Sequence, residues 1–267
     1  MATRMPLTPS PNHQPLVLIP SYNSGRLLPS TVARALEFFQ PVWVVIDGST
    51  DGSASLLEPL QAAHGESLRV LVLPENRGKG AAVLHGLLLA EAEGFTHALT
   101  MDADGQHPED FIPRYLELSA AHPEAGIFGE PVFDASAPTL RVQGRRLSNL
   151  WADIETLAWG IGDSLFGMRL YPIRPLIKVF ASTRFARRFD FDPEVAVRLA
   201  WLGVPLIRLP TPVRYLTAAD GGVSQFRYLR DNTLLTWMHL RLACGALLRL
   251  PWLIWKRIHR PALVAPE

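Results

Sequence analysis

The first half of the chain alternates between short, continuously apolar runs and longer stretches in which apolar residues recur at helical spacing. The apolar runs are rich in Val, Leu and Ile, which is typical of strands buried on both faces of a parallel sheet. These predicted strands are 15–20, 42–46, 68–73 and 97–101. The predicted helices between them are 27–39, 53–63 and 79–93. Repeated units of this kind predict an α/β fold, with a mostly parallel central sheet and helices on both of its faces.

The second half is less regular but continues the same architecture. Strand-like patterns occur at 126–133, 163–172 and 204–209, and helical patterns at 144–160 and 192–202. A long amphipathic helical pattern starts near Gln225, and Pro251 is expected to break or kink it. We therefore predict a flexible tail at 1–14, one catalytic domain at 15–224 and a C-terminal helical extension at 225–260.

Composition narrows the functional classes. Of the 267 residues, 48% are hydrophobic and 19% are charged, and the formal net charge is +1, which does not indicate wholesale nucleic-acid binding. The single cysteine, Cys244, excludes a disulfide within the chain and suits a reducing compartment. Residues 1–15 lack the apolar segment of a signal peptide, and no apolar run reaches the roughly 18 residues that span a bilayer. These features predict a cytoplasmic protein.

Polar clusters follow each of the first four predicted strands. Their sequences are SYNSG, DGSTDGS, ENRGKG and DADGQ. In open parallel sheets, ligands bind at the carboxyl ends of the strands. Since all four clusters fall at that edge, the pattern predicts a single site built from these loops.

Two aspartates after the fourth strand are the strongest candidates for chemistry. Asp102 and Asp104 are one residue apart, so both carboxylates are able to approach one divalent cation. Mg²⁺ and Mn²⁺ favour oxygen ligands and often bind through one or two carboxylates plus substrate phosphates. Gln106 offers a further oxygen and His107 a nitrogen. An isolated Asp-x-Asp is more often a solvated turn in which the second aspartate caps a helix, but the neighbouring polar loops favour a metal site.

Two further loops suit a nucleotide. Asp47 ends the second strand, where a carboxylate accepts hydrogen bonds from a ribose hydroxyl or a base N–H; capping of the next helix by Asp51 is compatible with this role. The loop Asn76–Gly80 precedes a helix, and its glycines, Arg77 and Lys79 favour an anion at the helix N-terminus. The loop lacks the Gly-Lys-Ser/Thr of a Walker A motif.

Taken in order, the segments IPSYNSG, VVIDGSTDGS, NRGKGAAVLHG and MDADGQHPED resemble the inverting glycosyltransferases of family 2, which have the GT-A fold. They are most similar to the dolichyl-phosphate mannose synthase-like branch, with its N-x-G-x-G-x-A and D-A-D-x-Q-H-P motifs. The similarity is close over about residues 15–115 and looser in DSLFGMRLYP and FDFDPEVAVRLAWLGVPLIRLP. It implies a UDP- or GDP-sugar donor, a lipid-linked acceptor, and Mg²⁺ or Mn²⁺ as cofactor.

The resemblance also implies roles for individual residues. Donor-binding roles fall on Pro20, Tyr22, Asp47, Arg77, Lys79 and Asp102. Metal-binding roles fall on Asp102, Asp104 and Gln106. Acceptor-side roles fall on Arg169, Asp163, Asp192 and Glu194, and the last three are candidates for a catalytic base.

Two departures from the family pattern bear on the two substrates: the first leaves Asp47 alone for contacts with the nucleotide base, and the second concerns the acceptor. Ile46 stands where the family often has a first aspartate before Asp47, and Gly129-Glu130-Pro131 replaces the Gly-Ser-Arg of the phosphate-acceptor branch. The arginine expected to meet a lipid phosphate is therefore missing. Compensation is expected from one of the arginines that follow this segment, namely Arg141, Arg145 or Arg146. Alternatively the acceptor is a hydroxyl-bearing lipid, which needs a general base, whereas an anionic phosphate scarcely does. Helix capping or a structural tie is the alternative role of each candidate acid.

The C-terminal extension combines aromatic and basic residues. Trp237, Trp252 and Trp255 suit the boundary of a bilayer, and the arginines and lysine between them suit lipid headgroups. The alternative is a helix packed on the catalytic domain with solvated arginines. We expect peripheral contact with the inner face of the plasma membrane, because a lipid acceptor and this extension explain each other.

The sequence thus predicts a metal-dependent, inverting transfer of a sugar from a nucleotide-diphosphate sugar to a polyprenyl phosphate or a hydroxyl-bearing lipid. A sugar-phosphate nucleotidyltransferase is a second hypothesis, although the loop after the first strand has only one glycine, Gly25. A catalytically degenerate membrane-bound scaffold is the third, and the intact aspartates argue against it.

Overall fold

The structure, a computed structural model, describes residues 13–133, 139–213 and 228–259. Within these ranges the chain forms a central seven-stranded sheet flanked by helices. The strands are β1 Pro15–Ser21, β2 Val42–Asp47, β3 Leu68–Leu73, β4 His97–Thr100, β5 Gly126–Val132, β6 Arg169–Pro172 and β7 Leu206–Pro212. The helices are α1 Leu27–Phe38, α2 Glu58–His64, α3 Lys79–Ala92, α4 Ile112–Ala121, α5 Thr139–Thr156, α6 Ile173–Ala181, α7 Phe191–Leu202, α8 Tyr228–Leu248 and α9 Leu250–Ile258.

The strand order is β3-β2-β1-β4-β6-β5-β7, and every neighbouring pair is parallel except those that involve β6. The carboxyl ends of β1, β2, β3 and β4 therefore meet at one edge of the sheet. The predicted α/β fold with a mostly parallel central sheet is confirmed. β6 runs antiparallel between β4 and β5, so it delivers its amino end to the edge where the other strands end.

The outer strands β3 and β7 are partly exposed, whereas β1, β2 and β4 are buried on both faces, as their continuous apolar sequences require. On β1, Leu16 and Leu18 belong to one apolar cluster and Val17 and Ile19 to the other. The first cluster includes residues of α3, α5, α6, α7, α8 and α9, and the second includes residues of α1 and α4. Burial on two sides explains why these strands show no alternation of polar and apolar residues.

The predicted strand at 163–172 is wrong over its first six residues, because β6 begins only at Arg169. Side chains rather than a neighbouring strand accept two of the backbone N–H groups at the start of this segment. The amide of Ser164 donates to Oδ1 of Asn149 at 2.8 Å, and that of Leu165 donates to Oδ1 of Asp163 at 2.9 Å. Residues 163–168 are therefore an irregular loop fixed by local polar contacts, called the 163–168 loop below.

The C-terminal helices pack on the rest of the chain. α8 lies against α5 and α7, with Met238 and Leu242 buried. α8 ends at Leu248 and α9 begins at Leu250, with Pro251 in its first turn, so the predicted break is present. No described helix combines the length and the apolar content needed to cross a bilayer. Most of the predicted tail, the first residues of the predicted extension (225–227) and its last residue (260) lie outside the described residues. The three-part division of the chain stays a prediction.

Candidate active site

The loop after β3 is anchored on the carboxylate of Asp47. Asp47 accepts the backbone N–H of Arg77 at 2.9 Å and that of Gly78 at 2.7 Å, and Nδ2 of Asn76 at 3.0 Å. Gly78 has φ +99°, and a Cβ there would come within 2.3 Å of the carbonyl oxygen of Arg187. A glycine is thus required at this turn on two counts. Asp47 is buried and fixes the entry into α3, and its predicted contact with a nucleotide stays a prediction.

The loops after β1 and β2 are hydrogen-bonded to each other. The amide of Thr50 donates to Oδ1 of Asn23 at 2.9 Å, and the amide of Asn23 donates to Oγ of Ser49 at 3.0 Å. Pro20 is buried at the end of β1, whereas Tyr22 is 38% exposed beyond it. Tyr22 is therefore accessible to a ligand as predicted for a donor-binding residue, and its role stays a prediction.

Lys79 joins two acidic residues that are distant in the sequence. Its Nζ lies 2.7 Å from Oδ1 of Asp102 and 2.7 Å from Oδ2 of Asp192. Gly167 passes close by, since a Cβ there would come within 2.6 Å of Oδ2 of Asp102 and 2.7 Å of Nζ of Lys79. The first residue of α3, the end of β4, the 163–168 loop and α7 therefore converge on one charged cluster.

The charges of this cluster are unevenly distributed. Burial opposes ionisation of Asp102, but the Lys79 ammonium outweighs it and lowers the pKa of Asp102 to about 2. Burial and the neighbouring Asp102 charge raise the pKa of Asp104 to about 6. The two carboxylates thus carry more negative charge than the one lysine neutralises, which is the electrostatic setting that attracts a further cation.

The side chain of His107 is hydrogen-bonded to the backbone of the Asp-x-Asp loop. Its Nδ1 accepts the backbone N–H of Asp102 at 2.9 Å, and its ring meets that of Phe166 edge-on with centroids 4.8 Å apart. Burial lowers the pKa of His107 to about 4, so the ring is neutral at pH 7. A neutral imidazole that accepts through Nδ1 is the form this hydrogen bond requires. His107 therefore shapes the turn on which the aspartates lie.

The residues present fit a hard divalent cation that is shared with a ligand. No group of three or more His, Cys, Asp or Glu side chains with metal-binding geometry occurs among the described residues. Asp102 and Asp104 supply carboxylate oxygens, and Gln106 lines the same small cavity as Asp102. Mg²⁺ and Mn²⁺ commonly bind through one or two carboxylates and complete their coordination with phosphates and water. The raised pKa of Asp104 agrees with a second carboxylate whose counter-charge the protein does not itself provide.

The cavity beside Asp102 is lined by residues of four segments, one of which contributes Val213, directly after β7. Arg145 of α5, Leu165 to Gly167 of the 163–168 loop, and Gln106 border it. Nη1 of Arg145 lies 2.6 Å from Oδ1 of Asp163, and the arginine side chain remains 22% exposed. An arginine and the Asp-x-Asp loop therefore share one cavity, which gives it a cationic and an anionic wall.

The three candidate bases are all engaged. Asp163 is bound by Arg145 and by the amide of Leu165, and Asp192 is bound by Lys79. Oδ1 of Asp192 is buried and has no hydrogen-bond partner among the described residues. Glu194 is fully buried between two arginines, with Nε of Arg198 at 2.9 Å from Oε1 and Nη2 of Arg241 at 3.0 Å from Oε2. Asp163 and Asp192 thus lie at the cluster, while the described contacts of Glu194 link α7 to α8.

The predicted acceptor arginines differ in position. Arg169 is fully buried, donates to the carbonyl oxygens of Asp192 at 2.6 Å and Asp163 at 2.9 Å, and stacks on the ring of Phe128. Its contacts are those of a structural tie between the 163–168 loop and α7. Arg146 is exposed on α5, next to the cavity-lining Arg145. Arg141 lies on α5, and its side chain is outside the described residues.

Sequence reasoning missed two features of the site. One is the pairing of Lys79 with Asp192, which spans 113 residues and leaves no local signal. The other is Gly167, whose lack of a side chain lets the 163–168 loop approach Lys79 and Asp102. A glycine between apolar residues was a visible hint of such a close approach.

Comparison with known proteins agrees with this architecture. Residues 16–185 match the sequence profile described as glycosyl transferase family 2. The chain is 28% identical to the polyprenol monophosphomannose synthase of Mycolicibacterium smegmatis, over 82% of this chain and 83% of that protein. It is 39% identical to the dolichyl-phosphate beta-glucosyltransferase of Drosophila melanogaster, over 75% of this chain and 67% of that protein. It is 34% identical to an undecaprenyl-phosphate 4-deoxy-4-formamido-L-arabinose transferase of Pseudomonas aeruginosa, over 86% and 74%.

Solved structures support the fold. The glucosyl-3-phosphoglycerate synthase of Mycobacterium tuberculosis, solved with Mn²⁺ and uridine-diphosphate-glucose, superposes with a TM-score of 0.60 and 16% identity. The match covers 88% of this chain and 79% of that one, and it shows a shared GT-A-like architecture. With the family profile matched over more than half of its length, the chain belongs to glycosyl transferase family 2.

Proposed function

We propose that this family 2 glycosyltransferase transfers a sugar from a nucleotide-diphosphate sugar to a polyprenyl phosphate at a membrane surface, with inversion at the anomeric carbon. The observation that carries the proposal is the cavity in which the Asp102 loop and Arg145 face each other. An anionic acceptor at the arginine and a cation-bound diphosphate at the aspartates meet there with their reacting atoms between them. The names of the three relatives described above agree with this acceptor class.

The donor site is proposed at the carboxyl ends of β1 to β4. The loop that Asp47 holds presents the N-terminus of α3, with Arg77 beside it, to the diphosphate. Tyr22 and Asp47 are proposed to border the base and ribose. Lys79 keeps Asp102 ionised and oriented, since its ammonium lies 2.7 Å from that carboxylate.

Mg²⁺ or Mn²⁺ is proposed to bind Asp102 and Asp104, with Gln106 near it and donor phosphates completing the coordination. When bound, the cation neutralises the charge that develops on the departing nucleotide diphosphate. Asp102 and Asp104 hold this charge at the leaving group, and Lys79 fixes the orientation of the first carboxylate.

The state of the candidate bases favours a phosphate acceptor over a hydroxyl. Asp163 is paired with Arg145, Asp192 with Lys79, and Glu194 with arginines of α7 and α8. A hydroxyl needs a base that removes its proton, whereas a phosphate oxygen is already anionic. Because each acid is already engaged by a cation, a nucleophile that needs no base agrees better with this site. Asp163 is proposed to orient Arg145 rather than to accept a proton.

The C-terminal surface suits a bilayer. α8 and α9 expose Trp237, Leu240, Leu247, Leu248, Trp252, Ile254, Trp255 and Ile258. Residues 232–259 contain Arg241, Arg249, Lys256 and Arg257 but no acidic residue, so the surface complements anionic headgroups. α5 continues this apolar surface with Leu147, Leu150, Trp151 and Ile154, which we call the α5 stripe. We propose peripheral docking on the cytoplasmic face of the membrane, which brings a lipid-borne phosphate to Arg145.

The direct test is transfer with purified protein, vesicles containing a polyprenyl phosphate, Mn²⁺ and either UDP-glucose or GDP-mannose. The expected result is a sugar-phosphate lipid and release of the nucleoside diphosphate. A parallel reaction with the matching polyprenol, which has a hydroxyl in place of the phosphate, is expected to give no product. Transfer to the alcohol alone would refute the phosphate acceptor, and pyrophosphate release from a nucleoside triphosphate and a sugar phosphate would indicate a nucleotidyltransferase.

A further inference from the structure

The inward face of α5 is polar, although it is buried. Ser148 and Glu155 are 6% and 0% exposed, and Asn149 is partly buried beside them. A helix that packs on a core normally turns an apolar stripe inward and polar residues outward. Buried polar groups are costly unless they are hydrogen-bonded, so their retention here points to a specific set of partners.

Those partners form one continuous chain of hydrogen bonds that starts on α8. Nδ1 of His239 lies 2.9 Å from Oε1 of Glu155, and its Nε2 lies 3.1 Å from Oγ of Ser148. Oγ of Ser148 is in turn 2.9 Å from Oγ of Ser164 in the 163–168 loop. His239 therefore connects α8 to this loop through a single side chain of α5.

The series of hydrogen bonds continues from Ser164 toward the cavity beside Asp102. Asn149 accepts both the backbone N–H and the hydroxyl of Ser164, each at 2.8 Å. The next residues of the loop line the cavity, and Gly167 passes against Asp102 and Lys79. Asp163, which orients Arg145, directly precedes Ser164. A displacement of Ser164 is therefore expected to move both the arginine and the loop that borders the aspartates.

We propose that His239 is a positioning residue for the transfer reaction. Held by Glu155, it fixes the hydroxyl of Ser148, and Ser148 with Asn149 fixes the 163–168 loop at the distance from Asp102 that acceptor and donor require. His239 touches neither substrate. The consequence for catalysis rests on the proposed function, whereas the consequence for the loop does not.

The chain offers a matched control for this proposal. Ser119 on α4 is also buried in a helix and lies 2.9 Å from Nε2 of another buried histidine, His13. Ser119→Ala and Ser148→Ala each remove one buried serine–histidine hydrogen bond, but only the second is linked to the 163–168 loop. Similar losses of thermal stability are expected for both variants, so stability alone cannot account for any difference in the other measurements.

The first measurement is hydrogen–deuterium exchange of the intact protein without ligands. Ser148→Ala is expected to accelerate exchange of the Ser164 and Leu165 amides at least about fivefold, because their acceptors are released from a fixed geometry. Ser119→Ala is expected to leave these amides unchanged. Equal exchange in the two variants would overturn the proposal, whatever reaction the enzyme catalyses.

The second measurement is transfer to a polyprenyl phosphate in vesicles. Ser148→Ala is expected to lower kcat/KM for the acceptor about tenfold, because misplacement of reacting groups by a fraction of an ångström is costly. The dissociation constant for UDP or GDP with Mn²⁺ is expected to stay within about twofold, since the loop that Asp47 anchors does not belong to the series of hydrogen bonds from His239 to Ser164. A wild-type protein that fails to transfer would refute the proposed function and leave the exchange result as the test of the positioning role.

Two variants of His239 test whether Nε2, which contacts Ser148, is the ring nitrogen that the positioning role needs. The amide nitrogen of glutamine occupies about the position of Nε2 in histidine, and that of asparagine about the position of Nδ1. His239→Gln is therefore expected to retain the contact with Ser148 and most of the acceptor kcat/KM, whereas His239→Asn is expected to resemble Ser148→Ala. Equal activity of these two variants, at either the wild-type or the reduced level, would contradict a positioning role through Ser148.

Discussion

The two sides of this molecule distribute polar residues in opposite ways. In the half built from β1 to β4, apolar residues fill the core on both faces of the sheet, and the charged residues of the candidate site lie at or after the strand ends. In α5, polar residues such as Ser148 and Glu155 point inward, and the apolar α5 stripe is exposed, with Leu147 at 59% and Leu150 at 56%.

The difference agrees with the proposal that the first side contacts water and the second contacts a membrane. Exposed apolar residues scattered singly are ordinary, but a contiguous apolar face marks an interaction site. The α5 stripe lies on a helix that packs against α8, where the ring of Trp151 stacks on that of His239. Residues 232–259 of α8 and α9 expose further tryptophans and contain no acidic residue. This distribution agrees with the proposed binding of a water-soluble, anionic donor at the β1–β4 half and of a lipid-borne acceptor at the α5–α9 half.

The largest effect is expected at the donor half, from Asp104→Ala. Loss of this carboxylate removes one of the two anionic ligands proposed for the cation, and we expect transfer to fall by about 10³-fold. Since the pKa of Asp104 is raised by burial and by Asp102, its removal is not expected to destabilise the fold at pH 7. Initial rates measure transfer, thermal midpoints measure stability, and titration with Mn²⁺ measures affinity for the cation. Asp110→Ala, an exposed acid nearby, is the control, and full activity of Asp104→Ala would refute the metal role.

The next effect is expected from Lys79→Met, which removes the cation between Asp102 and Asp192. The buried carboxylate of Asp192 and the half-buried one of Asp102 then lack their counter-charge, and the free energy of unfolding is expected to fall by about 3 kcal/mol. Transfer is expected to fall by about 10²-fold because Asp102 loses its orientation. Denaturant titration and kinetics test both. Lys178→Met, on the exposed face of α6, is the control; a Lys79 variant as stable and active as this control would show that the cluster is dispensable.

A third prediction sharpens the comparison from the acceptor half. Leu150→Gln in the α5 stripe is expected to weaken binding to anionic lipid vesicles by about tenfold, since burying one leucine contributes about 1.5–3 kcal/mol when complete. Sedimentation with vesicles measures the partition. Leu88→Gln on α3, where the leucine is similarly exposed at 49%, is expected to leave it unchanged. Equal partition of the two variants into vesicles would show that α5 does not contribute to membrane binding.

The smallest effect is a pH dependence of cation binding. The pKa of Asp104 is raised to about 6, so protons compete with Mn²⁺ as the pH falls through this value. Affinity is expected to drop about twofold at pH 6 and about tenfold at pH 5 relative to pH 7.

Without metal, the free energy of unfolding is expected to change with pH in the direction opposite to the cation affinity, falling as the pH rises. A carboxyl with a raised pKa holds its proton more firmly in the folded state, so its stabilising contribution is present at low pH and is lost as the pH rises to about 6. Thermal midpoints of wild type and Asp104→Asn in a chelator test this point. A pH-independent difference between them would show that the pKa is not raised.

Much of the donor half was predictable because its signals are local. Continuous apolar runs identified β1 to β4, and the residues after each strand identified the loops at one edge. The glycines of the loop before α3 indicated a close approach of the backbone. Asp47 fixes this loop by accepting hydrogen bonds from two of its backbone N–H groups. The 163–168 loop was mistaken for a strand because its apolar residues have a strand-like pattern, whereas side chains of α5 and its own Asp163 take up its amides.

The sequence by itself determined β1 to β4 with the helices between them, the Asp-x-Asp loop and the family, because each depends on residues close together in the chain. Helices α4 and α6 were not predicted. Only the tertiary structure decided which acids share Lys79 and which face of α5 is buried. Leu147, Leu150, Trp151 and Ile154 recur at helical spacing, and that spacing shows that they share a face without showing where the face lies. The opposite face lies inward because Ser164 and His239, from distant segments, supply hydrogen bonds that satisfy its polar groups.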